Sequence, residues 1–208
     1  MNDDLLMEEQ IKNMKEGSTL LMHACCAPCS SACLERIGNY FDISIFYYNP
    51  NITSKDEYLK RVEEIKKFIS GFKTKYPINL IEGRYDPEEF FKIAKGLEFE
   101  PERGKRCFEC YKLRLGETAK VASEQGFDYF CTTLTLSPYK NATWLNEIGE
   151  SLIDKYNSTY LYSDFKKKNG YKRIIELSHE FDLYRQDYCG CIYSLRDELE
   201  RKKNKTDN

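Results

Sequence analysis

Residues 19–31, TLLMHACCAPCSS, decide how the rest of the chain is read. Thr19–His23 is a short apolar run of the kind that forms a buried strand, and a small cysteine-rich turn then leads into a helical pattern. Outward from this stretch the same alternation recurs. Short β-branched or aromatic runs at Asp42–Tyr48, Ile78–Glu82 and Tyr129–Thr133, with a candidate fifth near Thr159–Tyr162, are separated by helical patterns. Lys55–Ser70 carries Tyr58, Leu59, Val62, Ile65 and Ile69 at spacings of three and four, one amphipathic helix. Asp86-Pro87-Glu88-Glu89 supplies an N-cap, a proline at N1 and acids in the first turn ahead of FFKIAKGL, with Gly96 near the end of that helix. This rhythm predicts an α/β fold: a parallel sheet with helices on both faces.

The second half is less regular. Gly104–Gln125 reads as a loop entering a helix, Ala142–Tyr156 as another helix, and 161–191 as a basic, glycine-interrupted stretch with one helix around Ile174–Phe181. The expected organisation is an N-terminal extension over residues 1–17, a single catalytic domain over 18–197 with a helical, cysteine-bearing C-terminal part, and a charged tail over 198–208 that frays.

With 208 residues the chain is long enough for one domain with a proper core. Hydrophobic residues at 41% and charges at 32% describe a globular protein, and no run approaches the ~18 apolar residues of a membrane span. No membrane partner is expected. The charges nearly cancel, 32 basic against 34 acidic, so any nucleic-acid surface must be a local patch. The acidic start MNDDLLMEEQ does not read as a secretory signal, so the reducing cytoplasm is the expected compartment. There, nine cysteines are more readily metal ligands or redox catalysts than structural bridges.

Cys25, Cys26, Cys29 and Cys33 follow the first strand and enter the next helix. Ligands of open parallel sheets bind outside the carboxyl ends of strands, and helix N-termini favour thiolates, so this loop is the expected site. Cys107 and Cys110 form a CxxC at another helix start, and Cys189 and Cys191 a CxC around Gly190. Cys33 and Cys131 read as small core hydrophobes. Cys25, Cys26, Cys107 and Cys110 are the preferred four-sulfur set, with a 4Fe–4S cluster favoured over zinc because zinc knuckles seldom use vicinal cysteines. Unligated core thiols are the bland alternative. The Cys26-Ala27-Pro28-Cys29 spacing also reads as a thioredoxin-like CxxC, although such a site needs neither the extra sulfurs nor so long a chain. The CxC is open between a strained, easily reduced disulfide and metal ligation.

The segments HACCAPCSS, RCFECYKLRL, TTLTLSPYKN and SDFKKKNGYKRIIELSHEFDLYRQDYCGCIYS together resemble the cobalamin-independent epoxyqueuosine reductases, the QueH family, over about residues 19–194. The resemblance implies reduction of epoxyqueuosine to queuosine at the wobble base of tRNAs with GUN anticodons, the final step of queuosine synthesis. It implies a 4Fe–4S cluster on Cys25, Cys26, Cys107 and Cys110 and a separate iron beside it. Where some relatives place an aspartate on that iron, this chain has Cys29, a softer donor. The implied fold is similar to the nucleotide α-hydrolase-like and PP-loop proteins. HACCAPCSS replaces their SGGxDS loop, so neither ATP nor cobalamin is expected.

Epoxide deoxygenation takes two electrons and protons. Cys189 and Cys191 are candidates to relay electrons from an unidentified donor, and Asp187, Tyr188 or His23 to supply protons. For tRNA, the basic pieces are Arg103-Gly104-Lys105-Arg106, Lys166–Lys168 with Lys172 and Arg173, and Arg185. Arg106, Lys167, Lys168, Tyr171, Arg173, Arg185 and Gln186 are the candidate substrate contacts, Tyr171 as a stacking platform for an unpaired base. A thioredoxin-like disulfide oxidoreductase and a zinc-containing RNA-binding module are the rival readings.

Overall fold

The computed structural model describes residues 2–206; Met1, Asp207 and Asn208, which the expected extension and tail include, lie outside the described residues. Five strands, β1 (Thr19–His23), β2 (Asp42–Tyr47), β3 (Asn79–Glu82), β4 (Tyr129–Thr132) and β5 (Thr159–Tyr160), form one parallel sheet in the order β3-β2-β1-β4-β5. Each expected strand is present, and all but β1 are a residue or two shorter than the sequence pattern.

The sheet is buried on both faces because alternate side chains point to opposite sides. Leu20, Met22, Ile43, Ile45 and Tyr47 pack with helices α1 (Asp3–Asn13), α2 (Ala27–Ile37), α3 (Lys55–Gly71) and α7 (Gly170–Glu180). Leu21, Phe46, Tyr48 and Phe130 pack on the other side with α5 (Lys105–Glu124) and α6 (Ala142–Ser151). Helix α4 (Pro87–Ala94) starts at the Asp86 cap and stops before Gly96, whose φ of +80° suits glycine. Helix α8 (Ile192–Thr206) closes the described chain.

Three expectations need correction. The tail does not fray from Glu198: α8 runs on to Thr206, with Glu198 3.5 Å from Arg201 and 3.9 Å from Lys202 on the next turn. The described part of the expected extension, residues 2–17, packs on the sheet. Met7 of α1 is 1% exposed in the core, and the Gln10 side chain donates to the Tyr160 carbonyl and accepts from the Tyr162 amide, covering the β5 edge. Helix α6 ends at Ser151 rather than Tyr156, where the hydrogen bonds tighten to three-residue spacing at Leu152 and Ile153. On α3 the buried face runs through Tyr58, Arg61, Val62, Ile65 and Phe68, while Leu59 is 48% exposed; a charged residue occupies a core position that an apolar pattern cannot reveal.

The chain moves outward from β1 through β2 to β3, then crosses back to β4 and β5. The β1–β4 boundary is therefore where the connections diverge, and a crevice opens beyond the strand ends there.

Candidate active site

Cys25 and Cys26 leave β1 directly, anchored by the Ala24 amide on the Phe46 carbonyl at 3.0 Å. Cys26 is the N-cap of α2, Pro28 occupies its first turn, and Cys29 follows one turn along. The three sulfurs all lie within 4.8 Å of one another, with Cys25 Sγ 3.7 Å from Cys26 Sγ. Tetrahedral coordination with metal–sulfur bonds of about 2.3 Å separates sulfurs by about 3.8 Å, so this trio can hold a metal ion. Thiol hydrogen bonds from Cys26 and Cys29 hold Cys25 well below the usual thiol range. The reciprocal contact with Cys25 pushes Cys26 up to about 12 and raises Cys29.

Cys107 and Cys110 lie one turn apart at the start of α5, on the same face. Cys107 Sγ accepts the Arg103 amide at 3.3 Å, and Arg103 adopts a left-handed φ of +72° to aim that N–H. Burial pushes Cys110 up to about 12. These two sulfurs are outside the 4.8 Å group. They line a narrow cleft of about 20 Å³ with Arg114, Lys140, Cys189 and Cys191. The neighbouring pocket, about 490 Å³, is lined by Cys25, Cys26, Cys29, Lys140, Tyr188 and Cys189. Cys189 and Lys140 face both spaces and join the two sulfur sets.

Two cations define the electrostatics. Arg114 is fully buried, donating from Nη2 to Asn49 Oδ1 at 2.6 Å, with Nε 3.3 Å from His23 Nε2, while its Nη1 has no partner. Lys140 Nζ donates to Cys189 Sγ at 3.3 Å. Burial opposes both charges, but negative sulfur at Cys110 raises Arg114 and at Cys189 raises Lys140 above their ordinary ranges. Among the described residues no carboxylate forms an ion pair with either. A cation taken out of water needs a nearby anion, and beside fully buried Arg114 and half-buried Lys140 the cysteines could supply one as metal-bound sulfur. The residues present therefore fit a thiolate-held metal group, either one ion at the trio or a polynuclear cluster, whose sulfurs bind separate irons and stand farther apart.

His23 is not a proton source. It is fully buried, with Nδ1 2.9 Å from Thr132 Oγ1 and Nε2 3.1 Å from the Tyr48 carbonyl; burial first and the Arg114 charge second lower its pKa to about 3. The imidazole stays neutral and ties β1 to β2 and β4.

The other expected residues divide. Tyr171, Arg185, Gln186, Asp187 and Tyr188 line the larger pocket, with Asp187 paired to Lys202 at 2.8 Å and Tyr188 partly buried. Lys167, Lys168 and Arg173 line a separate groove beside α1 and α2. There Lys168 pairs with Glu8, and Arg173 with Glu35 at 2.7 Å and Glu176 at 2.9 Å. Arg106 is corrected outright as a surface contact. It is 2% exposed, its guanidinium donating to the carbonyls of Leu97, Glu98 and Glu100 and lying 4.5 Å from the Tyr193 ring centre. Cys33 and Cys131 are fully buried core residues.

Sequence reasoning did not single out Arg61, Arg114, Lys140 or Asn49. Arg114 was discoverable: Cys107, Cys110 and Arg114 share one helical face at spacings of three and four. Lys140 sits within TTLTLSPYKN but carries no spacing signal of its own.

The sequence model of the family described as epoxyqueuosine reductase QueH matches residues 20–197. The chain is 43% identical to the epoxyqueuosine reductase QueH of Streptococcus pyogenes serotype M1, over 94% of this chain and 79% of that protein. Against the protein of that name from Staphylococcus epidermidis the identity is 46%, over 86% and 77% of the two chains. For its Thermotoga maritima namesake the figure is 37%, over 89% and 93%. A strand-to-helix sulfur cluster, a second sulfur pair across a shared cleft and a match over most of the chain lead to one conclusion: this chain belongs to the epoxyqueuosine reductase QueH family.

Proposed function

We propose that the protein reduces epoxyqueuosine to queuosine at the wobble position of tRNAs with GUN anticodons, as a cytoplasmic enzyme taking electrons from a donor still to be identified. It needs neither ATP nor cobalamin in this reading. The single observation that carries it is the sulfur-lined cavity whose cations, fully buried Arg114 and half-buried Lys140, lie beside cysteines and form no ion pair with a carboxylate among the described residues.

Cys25, Cys26, Cys107 and Cys110 would hold a 4Fe–4S cluster, and Cys29, with its sulfur beside those of Cys25 and Cys26, would hold a separate iron. When bound, these groups supply single electrons and a Lewis acid for the departing epoxide oxygen. The remaining work falls to side chains. Lys140, held above its ordinary range by the neighbouring Cys189 against its burial, lines the pocket and offers a positive charge rather than a transferable proton. Tyr188 holds a proton: burial raises its hydroxyl above the ordinary range, and it lines the pocket where the nucleoside would enter. Asp187 and Lys202 form an exposed pair, with both residues lining the pocket. Cys189 and Cys191 relay electrons. Tyr171, Arg185 and Gln186 would receive the anticodon loop, while Lys167, Lys168 and Arg173, in their separate groove, would reach only more distant phosphate.

Anaerobic purification followed by iron, sulfide and zinc analysis, an absorption spectrum and turnover of epoxyqueuosine-containing tRNA tests the proposal. A brown protein with about four sulfides and at least as many irons, active on that tRNA, is expected. Colourless protein with stoichiometric zinc and no turnover overturns it in favour of the RNA-binding module; colourless, metal-free protein that reduces disulfides overturns it in favour of the oxidoreductase.

A further inference from the structure

The CxC loop has no regular secondary structure between α7 and α8, yet each successive carbonyl around its first cysteine is captured by one short stretch of chain, residues 51–61. Arg61 Nη2 donates to the Tyr188 carbonyl at 3.4 Å and Nη1 to the Cys189 carbonyl at 3.2 Å. The Thr53 amide donates to the Gly190 carbonyl at 3.2 Å. Gly190 has a φ of +115°, and a Cβ there would meet Ile52 Cγ1 at 2.8 Å, so this segment also sets which residue can stand between the cysteines. The Tyr188 ring lies 5.7 Å from the guanidinium carbon, and Asn51 Nδ2 reaches the Cys189 sulfur at 4.0 Å.

Arg61 is 1% exposed and its charge is balanced by Glu57 at 2.7 Å, which in turn accepts from the Tyr184 hydroxyl at 3.2 Å. An apolar side chain would fill this place on α3 with no desolvation to offset. What the guanidinium adds is a rigid fork that binds two consecutive carbonyls. Its effect is on the sulfurs: Cys189 Sγ is presented to Lys140 at 3.3 Å and to both cavities. Cys191 is turned inward, buried, accepting the Ser194 amide at 3.3 Å.

We propose that Arg61, supported by Glu57, is the positioning residue of the CxC loop, holding Cys189 rather than Cys191 at the mouth of the sulfur cavity. This rests on the reading of the CxC as an electron relay. Arg61 touches no reacting atom and acts through the carbonyls of Tyr188 and Cys189.

The test uses the full chain with its metal bound, comparing Arg61→Lys, which keeps the charge and loses the fork, with Gly190→Ala, which displaces the loop from its other side. Both variants are expected to lower kcat at least tenfold at unchanged KM for tRNA, with the absorption spectrum and melting temperature preserved. After reduction with dithiothreitol, iodoacetamide labelling resolved by peptide mass spectrometry should show the preference for Cys189 over Cys191 falling severalfold in both. Parental kcat and labelling preference in Arg61→Lys would overturn the proposal, as would a loss of kcat that merely parallels loss of absorbance or melting temperature. Cys189→Ser separates the two levels of inference. An active Cys189→Ser sinks the relay reading itself, whereas an inactive one beside a fully active Arg61→Lys sinks only the positioning role.

Discussion

The two sulfur-bearing regions are held in place by different means. The trio at 25–29 is fixed by regular backbone: a central strand delivers Cys25 and Cys26, and the first turn of α2 delivers Cys29. The CxC at 189–191 belongs to no helix or strand, and long-range side-chain contacts from Arg61 and Lys140, with the local Ser194 amide on Cys191, set its geometry. In a site made from one rigid wall and one strapped-on loop, a metal held at the trio would stay in place while the CxC loop adjusts, because local stability follows local contact density.

The sharpest way to break this comparison is to remove a sulfur from each region. Cys25→Ser should abolish both iron content and turnover, whereas Cys189→Ser should reduce turnover by roughly 10²-fold or more and leave iron content and absorbance intact. Metal analysis beside single-turnover assays decides it, and equal loss of iron in both would make the CxC a ligand. Next in size, Arg114→Met strips the rigid wall of the cation that joins Asn49 and His23. A loss of about 2–3 kcal/mol in urea-midpoint stability is expected, with amide exchange rising around 23–26 before it rises at 189–191. Exchange rising first in the loop would reverse the assignment of rigidity.

A smaller effect is expected far from both regions. Gln10→Leu gives up two hydrogen bonds to the backbone at Tyr160 and Tyr162, which should cost about 1–2 kcal/mol without altering turnover per folded molecule. The smallest concerns RNA. Arg173→Ala should change affinity for an anticodon stem-loop less than about twofold, since Glu35 and Glu176 already neutralise it, while Arg185→Ala at the pocket rim should weaken binding more and flatten its salt dependence. A larger loss from Arg173 would move the RNA path onto the α1–α2 groove.

The strands were legible because buried parallel strands are short, apolar and bounded by turns, and β1 matched its sequence pattern residue for residue. Helix α8 was misread because its stretch ERKKNK resembles a solvated tail; its charges at spacings of three and four support a helix. Arg106 was misread for a related reason. A basic run reports charge, and only the fold reveals that one of its members has three backbone carbonyls to bind and no water. Arg61 shows the converse, a polar side chain on the buried face of an otherwise well-read amphipathic helix.

Sequence alone determined the α/β order of the elements, the sulfur-rich turn after the first strand and the family, because periodicity and local motifs are properties of neighbouring residues. Tertiary structure alone decided which sulfurs share a cavity, which cations are buried against them, and which basic residues are spent on carbonyls and carboxylates. Those facts depend on residues far apart in the chain, such as Arg61 and Cys189 or Arg114 and His23, and no local pattern encodes where a crossing sheet will bring them.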